Sequence, residues 1–245
     1  MLKRLLLAGS ALALVSAAHA DVLGFRLGAY QWQQDYDGDV QSGGAKIDLQ
    51  DDLGFDDDDG TVIYFALEHP IPLVPNVLLQ RTELKSKNTA RLERSFIFDD
   101  NLYVVGENVT TDLDLSHTDV TLYYELLDNV VALDAGLTVR WFDEGIELQA
   151  LGADGKLDVD HALPMIYVAG RVNLPLTGLY VGAEANGIAY DDSSLIDARV
   201  NIGYETGIGL GVELGYRTFD LDYDDDDDKA NLTVDGAYGS LFYHF

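Results

Sequence analysis

The sequence predicts an all-β protein, a closed antiparallel transmembrane β-barrel of about ten strands, with short turns at one end and long acidic loops at the other. Three observations predict it. Segments of nine or more residues alternate apolar and polar side chains with period two, the signature of a strand with two different faces. The connections between them alternate short and long, and only the brief 191–194 turn breaks the pattern. The last segment ends on an aromatic residue, with Ala237, Gly239, Leu241, Tyr243 and Phe245 on one face.

The N-terminus comes first. Lys3 and Arg4 precede the apolar run Leu5–Val15, and Ser16-Ala17-Ala18-His19-Ala20 follows. A positive start, a short apolar run and an A-x-A ending describe a signal peptide over residues 1–20, cleaved after Ala20. The run is too short to cross a bilayer as a helix. Residues 21–245 then form one barrel domain.

Ten strands are expected near 22–33, 60–69, 76–86, 114–127, 130–142, 161–174, 178–190, 195–206, 208–222 and 232–245. The clearest runs from Ile196 to Glu205, with apolar even positions and charged or polar odd ones. Leu210, Val212, Leu214 and Tyr216 repeat the pattern against Gly211, Glu213, Gly215 and Arg217. Connections near 70–75, 128–129, 175–177 and 206–207 are short, whereas 34–59, 87–113, 143–160 and 223–231 read as long loops. A strand of nine residues crosses a bilayer when tilted, and closure removes edges that lipid cannot hydrate. Cleavage of Lys3 and Arg4 takes the net charge from −28 to −30, which excludes nucleic acid as a partner. With no cysteine there is no disulfide framework and no thiolate metal site.

Gly28–Trp32, Gly43–Leu49 with Asp52-Leu53-Gly54, Glu68–Asn76 and the terminal Phe245 resemble an uncharacterised outer-membrane β-barrel family of marine and related gammaproteobacteria. The resemblance covers the first third of the chain best. It implies a barrel in the bacterial outer membrane and no catalytic residues. The terminal Phe245 resembles the C-terminal signal of outer-membrane proteins read by the barrel-assembly machinery, and the expected partners are that machinery, outer-membrane lipids and lipopolysaccharide reached through divalent cations on the acidic loops.

If apolar positions face lipid, six arginines point inward: Arg26, Arg81, Arg140, Arg171, Arg199 and Arg217. So do Glu68, Glu83, Asp119, Glu125, Asp134, Glu184, Asp197, Glu205 and Glu213. A ten-stranded barrel is little wider than its inner side chains, so these charges should form an ion-paired lumen network. The surplus of acids gives any conducting path a small, cation-selective conductance.

Most other acids fall in the loops. Asp35, Asp37 and Asp39 are spaced D-x-D-x-D, and Asp56, Asp57, Asp58 and Asp59 form a run. So do Asp224, Asp225, Asp226, Asp227 and Asp228. Clustered carboxylates suit loosely bound Ca²⁺ or Mg²⁺, although the glutamate that completes an EF-hand is missing. No other cofactor is expected. Mutual repulsion should hold the two aspartate runs extended.

Enzyme signatures are thin. Ser116-His117 with Asp119, and Asp160-His161, are the pieces a lipid hydrolase would use. Neighbouring strand residues point to opposite faces, so Ser116 and His117 cannot readily share a substrate. His69 falls in a turn, and His244 is expected to face the lumen near its lower end. The chain therefore reads as a non-enzymatic structural or surface barrel with cation-recruiting acidic loops. A narrow channel for small cationic or hydrophobic solutes is the alternative, and an outer-leaflet hydrolase the third reading.

Overall fold

The structure, a computed structural model, describes residues 23–245 except 151, 159–161 and 226–227. The expected signal segment therefore lies outside the described residues, as does the Asp160-His161 pair.

The strands in chain order begin with β1 (Gly24–Ser42), β2 (Ile47–Asp48), β3 (Asp58–Glu68), β4 (Asn76–Thr82), β5 (Lys85–Arg91) and β6 (Phe96–Phe98). They continue with β7 (Asn101–Tyr103), β8 (Asn108–Asp114), β9 (His117–Asp128), β10 (Val131–Phe142), β11 (Gly145–Ala150) and β12 (Ala153–Asp158). The last five are β13 (Ala162–Asn173), β14 (Leu179–Tyr190), β15 (Ser193–Glu205), β16 (Leu210–Asp225) and β17 (Asp228–His244). Ten of them form a closed ring in the order β17, β16, β15, β14, β13, β10, β9, β4, β3, β1, with β1 pairing back to β17. Every pairing in the ring is antiparallel. The first and last strands meet: Phe25 N–H donates to Phe245 O at 2.7 Å, and Phe245 N–H donates back at 3.0 Å.

The outer face identifies the solvent. Leu27, Leu137, Ile166, Ile202, Leu214 and Leu241 are each more than half exposed, on strands spread around the ring. Water would not tolerate so continuous an apolar band on a monomer, whereas lipid requires it. Tyr124, Tyr204 and Tyr243 edge the band below, and Trp141 and Tyr216 edge it above, as interfacial aromatics do. Above it the outward positions turn polar: Gln31, Gln33 and Asp35 on β1, and Thr233 and Asp235 on β17. No helix in the described residues is long and apolar enough to cross a membrane. The chain is an outer-membrane β-barrel, and its short turns face the periplasm.

All four of the expected long loops contain strands instead. β1 runs to Ser42, ten residues past the Trp32 level, and β16 and β17 stay paired up to Asp225 and Asp228. Residues 87–113 and 143–160 build much of a second, four-stranded sheet in the order β12, β11, β8, β5, which prolongs the barrel wall outward. The physical reason is that alternation does not stop at the membrane. Trp32, Tyr36 and Val40 still point inward above the band, while Asp35, Asp37 and Asp39 project into water. Charge density alone reads such a strand as a loop. The aspartate repulsion does not open the β16–β17 hairpin either, because Lys229 bridges Asp224 at 2.6 Å and the ladder continues to Asp225 and Asp228.

Inside the ring, some glycines seat aromatic rings of the next strand. A Cβ on Gly211 would lie 2.1 Å from the Phe242 ring, and one on Gly203 would lie 2.2 Å from Tyr180. Ring over glycine fills the lumen wall and pins register.

Candidate functional site

The lumen is built in three tiers, each set by which side chains the inward parity delivers. The uppermost is buried and mostly apolar. Trp32, Tyr36 and Val40 from β1, Phe219 from β16, and Leu232 and Val234 from β17 are all essentially fully buried. The folded loops add Leu49, Leu53, Phe98, Tyr103, Leu113 and Leu148 to the same core. The rings of His117 and Phe219 stack at 6.0 Å between centroids. Their strands, β9 and β16, stand five positions apart in the ring of ten, so the contact spans the full diameter. Side chains from opposite walls therefore meet at that level.

The middle tier is a buried ion network. Arg140 binds Asp119 through two N–H···O bonds, at 2.8 and 2.7 Å, and reaches Asp197 at 2.6 Å. Arg217 grips both oxygens of Asp197 at 2.8 and 2.7 Å. Its remaining Nη1 donates to Tyr30 Oη at 2.9 Å and Thr82 Oγ1 at 3.4 Å, the latter four strands away. The Arg217 guanidinium also lies 4.6 Å from the Trp32 ring, tying this tier to the one above. All four charged side chains are at most 6% exposed, so each charge depends on its partners rather than on water. Beside them, Thr121 and Thr138 share a hydrogen bond, and Thr138 donates to Asn186 Oδ1 at 2.6 Å.

The lowest tier is a cup of about 310 Å³ at the periplasmic end. Its arginines are each paired: Arg26 with Glu213 at 2.6 Å, Arg199 with Glu184 at 2.7 Å and Arg171 with Glu205 at 3.0 Å. Glu205 also meets His244 Nδ1 at 3.1 Å. Tyr123 donates to Glu68 at 2.9 Å. Glu125 and Asp134 sit directly opposite each other in the β9–β10 ladder.

Of the expected lumen residues, Arg81 and Glu83 are corrections. Consecutive Leu78 and Leu79 leave the parity of β4 open in the sequence. The strand turns Asn76, Leu78, Gln80 and Thr82 inward and Arg81 outward. There Arg81 makes a two-pronged pair with Asp143 above the lipid band, and Glu83 pairs with Lys85 at 2.7 Å. Arg81 holds the Asp143 carboxyl below its usual range, chiefly by hydrogen bonding. Trp32, Tyr30 and Thr82, which complete the surroundings of Arg217, went unread in the sequence. Their even-numbered inward parity was the available signal.

The acidic runs are spread over the outer wall. Asp35 faces Asp235 across the β1–β17 ladder, and Tyr216 Oη donates to Asp235. Asp37 lies opposite Thr233, and Asp39 pairs with Lys46 at 2.9 Å. Asp56 and Asp57 are exposed ahead of β3, which Asp58 and Asp59 open. Asp226, Asp227 and the side chain of Asp225 lie outside the described residues. Among the described residues, no three carboxylates or imidazoles converge closely enough to hold one metal ion.

The hydrolase pieces are not assembled. Ser116 Oγ accepts from Leu84 N–H at 3.1 Å, and His117 Nδ1 donates to Leu115 O at 2.8 Å. Asp119 is held by Arg140. His69 donates from Nε2 to Pro75 O at 3.2 Å within its turn.

No family model and no curated protein matches the chain, so the resemblance drawn from Gly28–Trp32, Gly43–Leu49 and Glu68–Asn76 finds no family behind it. Among solved structures it is similar to the outer-membrane protease OmpT of Escherichia coli, at 11% identity over 93% of this chain and 98% of that one, with a TM-score of 0.49. It is also similar to an outer-membrane channel of Pseudomonas putida F1, at 12% identity over 94% and 98% of the two chains, with a TM-score of 0.43. The third is the P. putida toluene transporter TodX, at 13% identity over 92% and 90%, with a TM-score of 0.35. None of the three assigns an activity to this chain.

Proposed function

We propose that the chain is a closed, non-conducting structural barrel whose working part is its folded acidic head. The observation that carries this reading is the His117–Phe219 stack across the full diameter, with a buried, mostly apolar core above it and a paired ion network below. A channel would need a hydrated path through that level. The head offers water a wall of carboxylates above the lipid band, at the height of the lipopolysaccharide headgroups. Divalent cations recruited between Asp35, Asp57, Asp235 and neighbouring phosphates would brace the outer leaflet, each carboxylate contributing one or two oxygens. The reading is non-enzymatic, since Ser116, His117 and Asp119 are each engaged elsewhere. The Phe245 terminus fits recognition by the barrel-assembly machinery.

Purified protein in planar bilayers tests the closed barrel: no conductance steps are expected, and stable cation-selective steps would overturn it. A thermal-shift titration of Ca²⁺ against NaCl at equal ionic strength tests the head. Calcium is expected to stabilise more, and the difference is expected to vanish in Asp35→Asn/Asp57→Asn/Asp235→Asn. Equal action of the two salts removes the cation-recruiting role.

A further inference from the structure

Four turns close the periplasmic end of the barrel: residues 69–75 between β3 and β4, 129–130 between β9 and β10, 174–178 between β13 and β14, and 206–209 between β15 and β16. We propose that these turns form a lipid-binding rim, sunk into the inner leaflet of the outer membrane and covered by phospholipid instead of periplasmic water.

The rim is aliphatic where the rest of the chain is acidic. None of the four segments holds an aspartate, glutamate, lysine or arginine, although the chain carries 43 acids. Their apexes instead expose Leu73 (92%), Leu176 (107%) and Ile208 (75%), and Val130 is exposed as well. The two leucines stand where the backbone disfavours them. Pro72-Leu73 and Pro175-Leu176 are the centres of two β-turns, closed by Val74 N–H to Ile71 O and by Thr177 N–H to Leu174 O. Leu73 and Leu176 sit there at φ of 67° and 66°, a left-handed conformation that glycine or asparagine takes at lower cost. The same strained pair, used twice at one end of the barrel, displays a large apolar side chain where a small or polar one would fold more easily.

The backbone of the turns gives a second, independent reason. Polar backbone groups that face lipid must be satisfied internally, because no water reaches them. Four of the five prolines of the chain, Pro70, Pro72, Pro75 and Pro175, lie in these turns and bring no N–H donor. His69 accepts from Ile71 N–H at 3.3 Å and donates to Pro75 O at 3.2 Å. Tyr124, at the lower edge of the band, spends its hydroxyl on Leu73 O at 2.9 Å. Thr177 Oγ1 donates to Leu174 O at 2.8 Å and accepts from Leu179 N–H at 3.0 Å. Thr206 Oγ1 makes the same two bonds to Leu210 O and Leu210 N–H. Continuity with the lipid band names the occupant. On β13 the outward positions Ile166, Val168, Val172 and Leu174 are exposed and apolar down to Leu176, with only Gly170 between them. No charge marks a boundary with water along that line, and the absence of acids removes repulsion from lipid phosphates.

The chain has no cysteine, so single cysteines can be spin-labelled cleanly. Leu73→Cys, Leu176→Cys and Ile208→Cys are each labelled in the full-length barrel, reconstituted at low protein-to-lipid ratio in vesicles of phosphatidylethanolamine and phosphatidylglycerol. Leu137→Cys in the band and Asp37→Cys on the outer wall set the lipid and water limits. The rim labels are expected to collide more with oxygen, which concentrates in lipid, than with a water-soluble nickel chelate, as the label at 137 does. Nickel access equal to that at 37 would overturn the proposal and leave the rim to periplasmic water or a protein partner. Protection that grows with the protein-to-lipid ratio would assign the rim to a second copy and overturn it too. The double variant Leu73→Asn/Leu176→Asn separates lipid burial from turn geometry. Asparagine tolerates a left-handed backbone, so turns with a purely structural role should be as stable as before or more so. Burial in lipid predicts the reverse, a lower urea midpoint for unfolding from the same vesicles. An unchanged or raised midpoint counts against the rim, and should the double variant fail to insert, the single labelled variants decide.

Discussion

The upper and lower halves of this lumen use the same strands, the same inward parity and opposite chemistry. Above the Arg140–Asp197–Arg217 network the inward positions are mostly tryptophan, tyrosine, phenylalanine and leucine, and they are buried. Below it they are glutamate, aspartate and arginine around a cavity. The ion pairs differ accordingly. Arg217–Asp197 is at most 6% exposed, whereas Arg171–Glu205 is 25% and 19% exposed. A buried charge stripped of its partner has no water to turn to, while a cup charge does. One barrel wall can therefore serve as a protein core at one height and as a solvated vestibule at another.

The sharpest way to break the contrast is Asp197→Ala, which leaves the buried Arg217 guanidinium with no carboxylate and Arg140 with Asp119 alone. It is expected to destabilise the barrel by about 3–5 kcal/mol, read as a lower unfolding midpoint in detergent and urea. Trp32→Ala, which empties the centre of the upper half and removes the stacking partner of Arg217, is expected to cost about 3 kcal/mol or more in the same assay. If Trp32→Ala also produced conductance steps, the upper half would be shown to be the seal. Glu205→Gln removes a chemically similar carboxylate from the cup, and there the expected loss is only about 1 kcal/mol, since Arg171 can turn to water. Equal losses for Asp197→Ala and Glu205→Gln would erase the distinction between the halves.

The smallest effect is acid loosening of the head. Arg94 bonds Asp52 through two nitrogens, and this holds the Asp52 carboxyl below its usual range. A depressed folded value means stability that is present above the unfolded value and lost as pH falls through the folded one. Protonation below about pH 4 should thus release the loop that bears Asp52. Arg94 is 43% exposed, so the loss is expected to be only a few tenths of a kcal/mol, about the size of an exposed pair. Limited proteolysis at pH 3 against pH 6 checks it: cleavage near Asp52 should rise while the barrel stays intact.

How far the sequence could be read depended on which force set each feature. Period two along Ile196–Glu205 and Leu210–Arg217 was enough to put Asp197, Arg199 and Arg217 inside, because one face of those strands is apolar throughout. The same test failed at Leu78-Leu79, where two adjacent leucines suit either parity, and Arg81 was assigned to the wrong face. It failed again above the membrane. Aspartates at 35, 37 and 39 look like loop residues, although Tyr36 and Val40 between and beyond them are core.

The sequence by itself pointed to the barrel: about ten strands, antiparallel closure, the lipid-facing side of most strands and the acid surplus all follow from local alternation, turn length and charge. Only the tertiary structure decided that side chains from opposite walls meet in the upper lumen. Whether inward side chains from opposite walls touch depends on diameter and on how residues 43–57 and 83–116 fold over the mouth. Those are contacts between residues a hundred positions apart in the chain, such as His117 with Phe219. The pairing of individual charges was decided there too. A carboxylate's choice among several arginines depends on their height in the lumen, and strand tilt and register set that height where spacing along the chain does not.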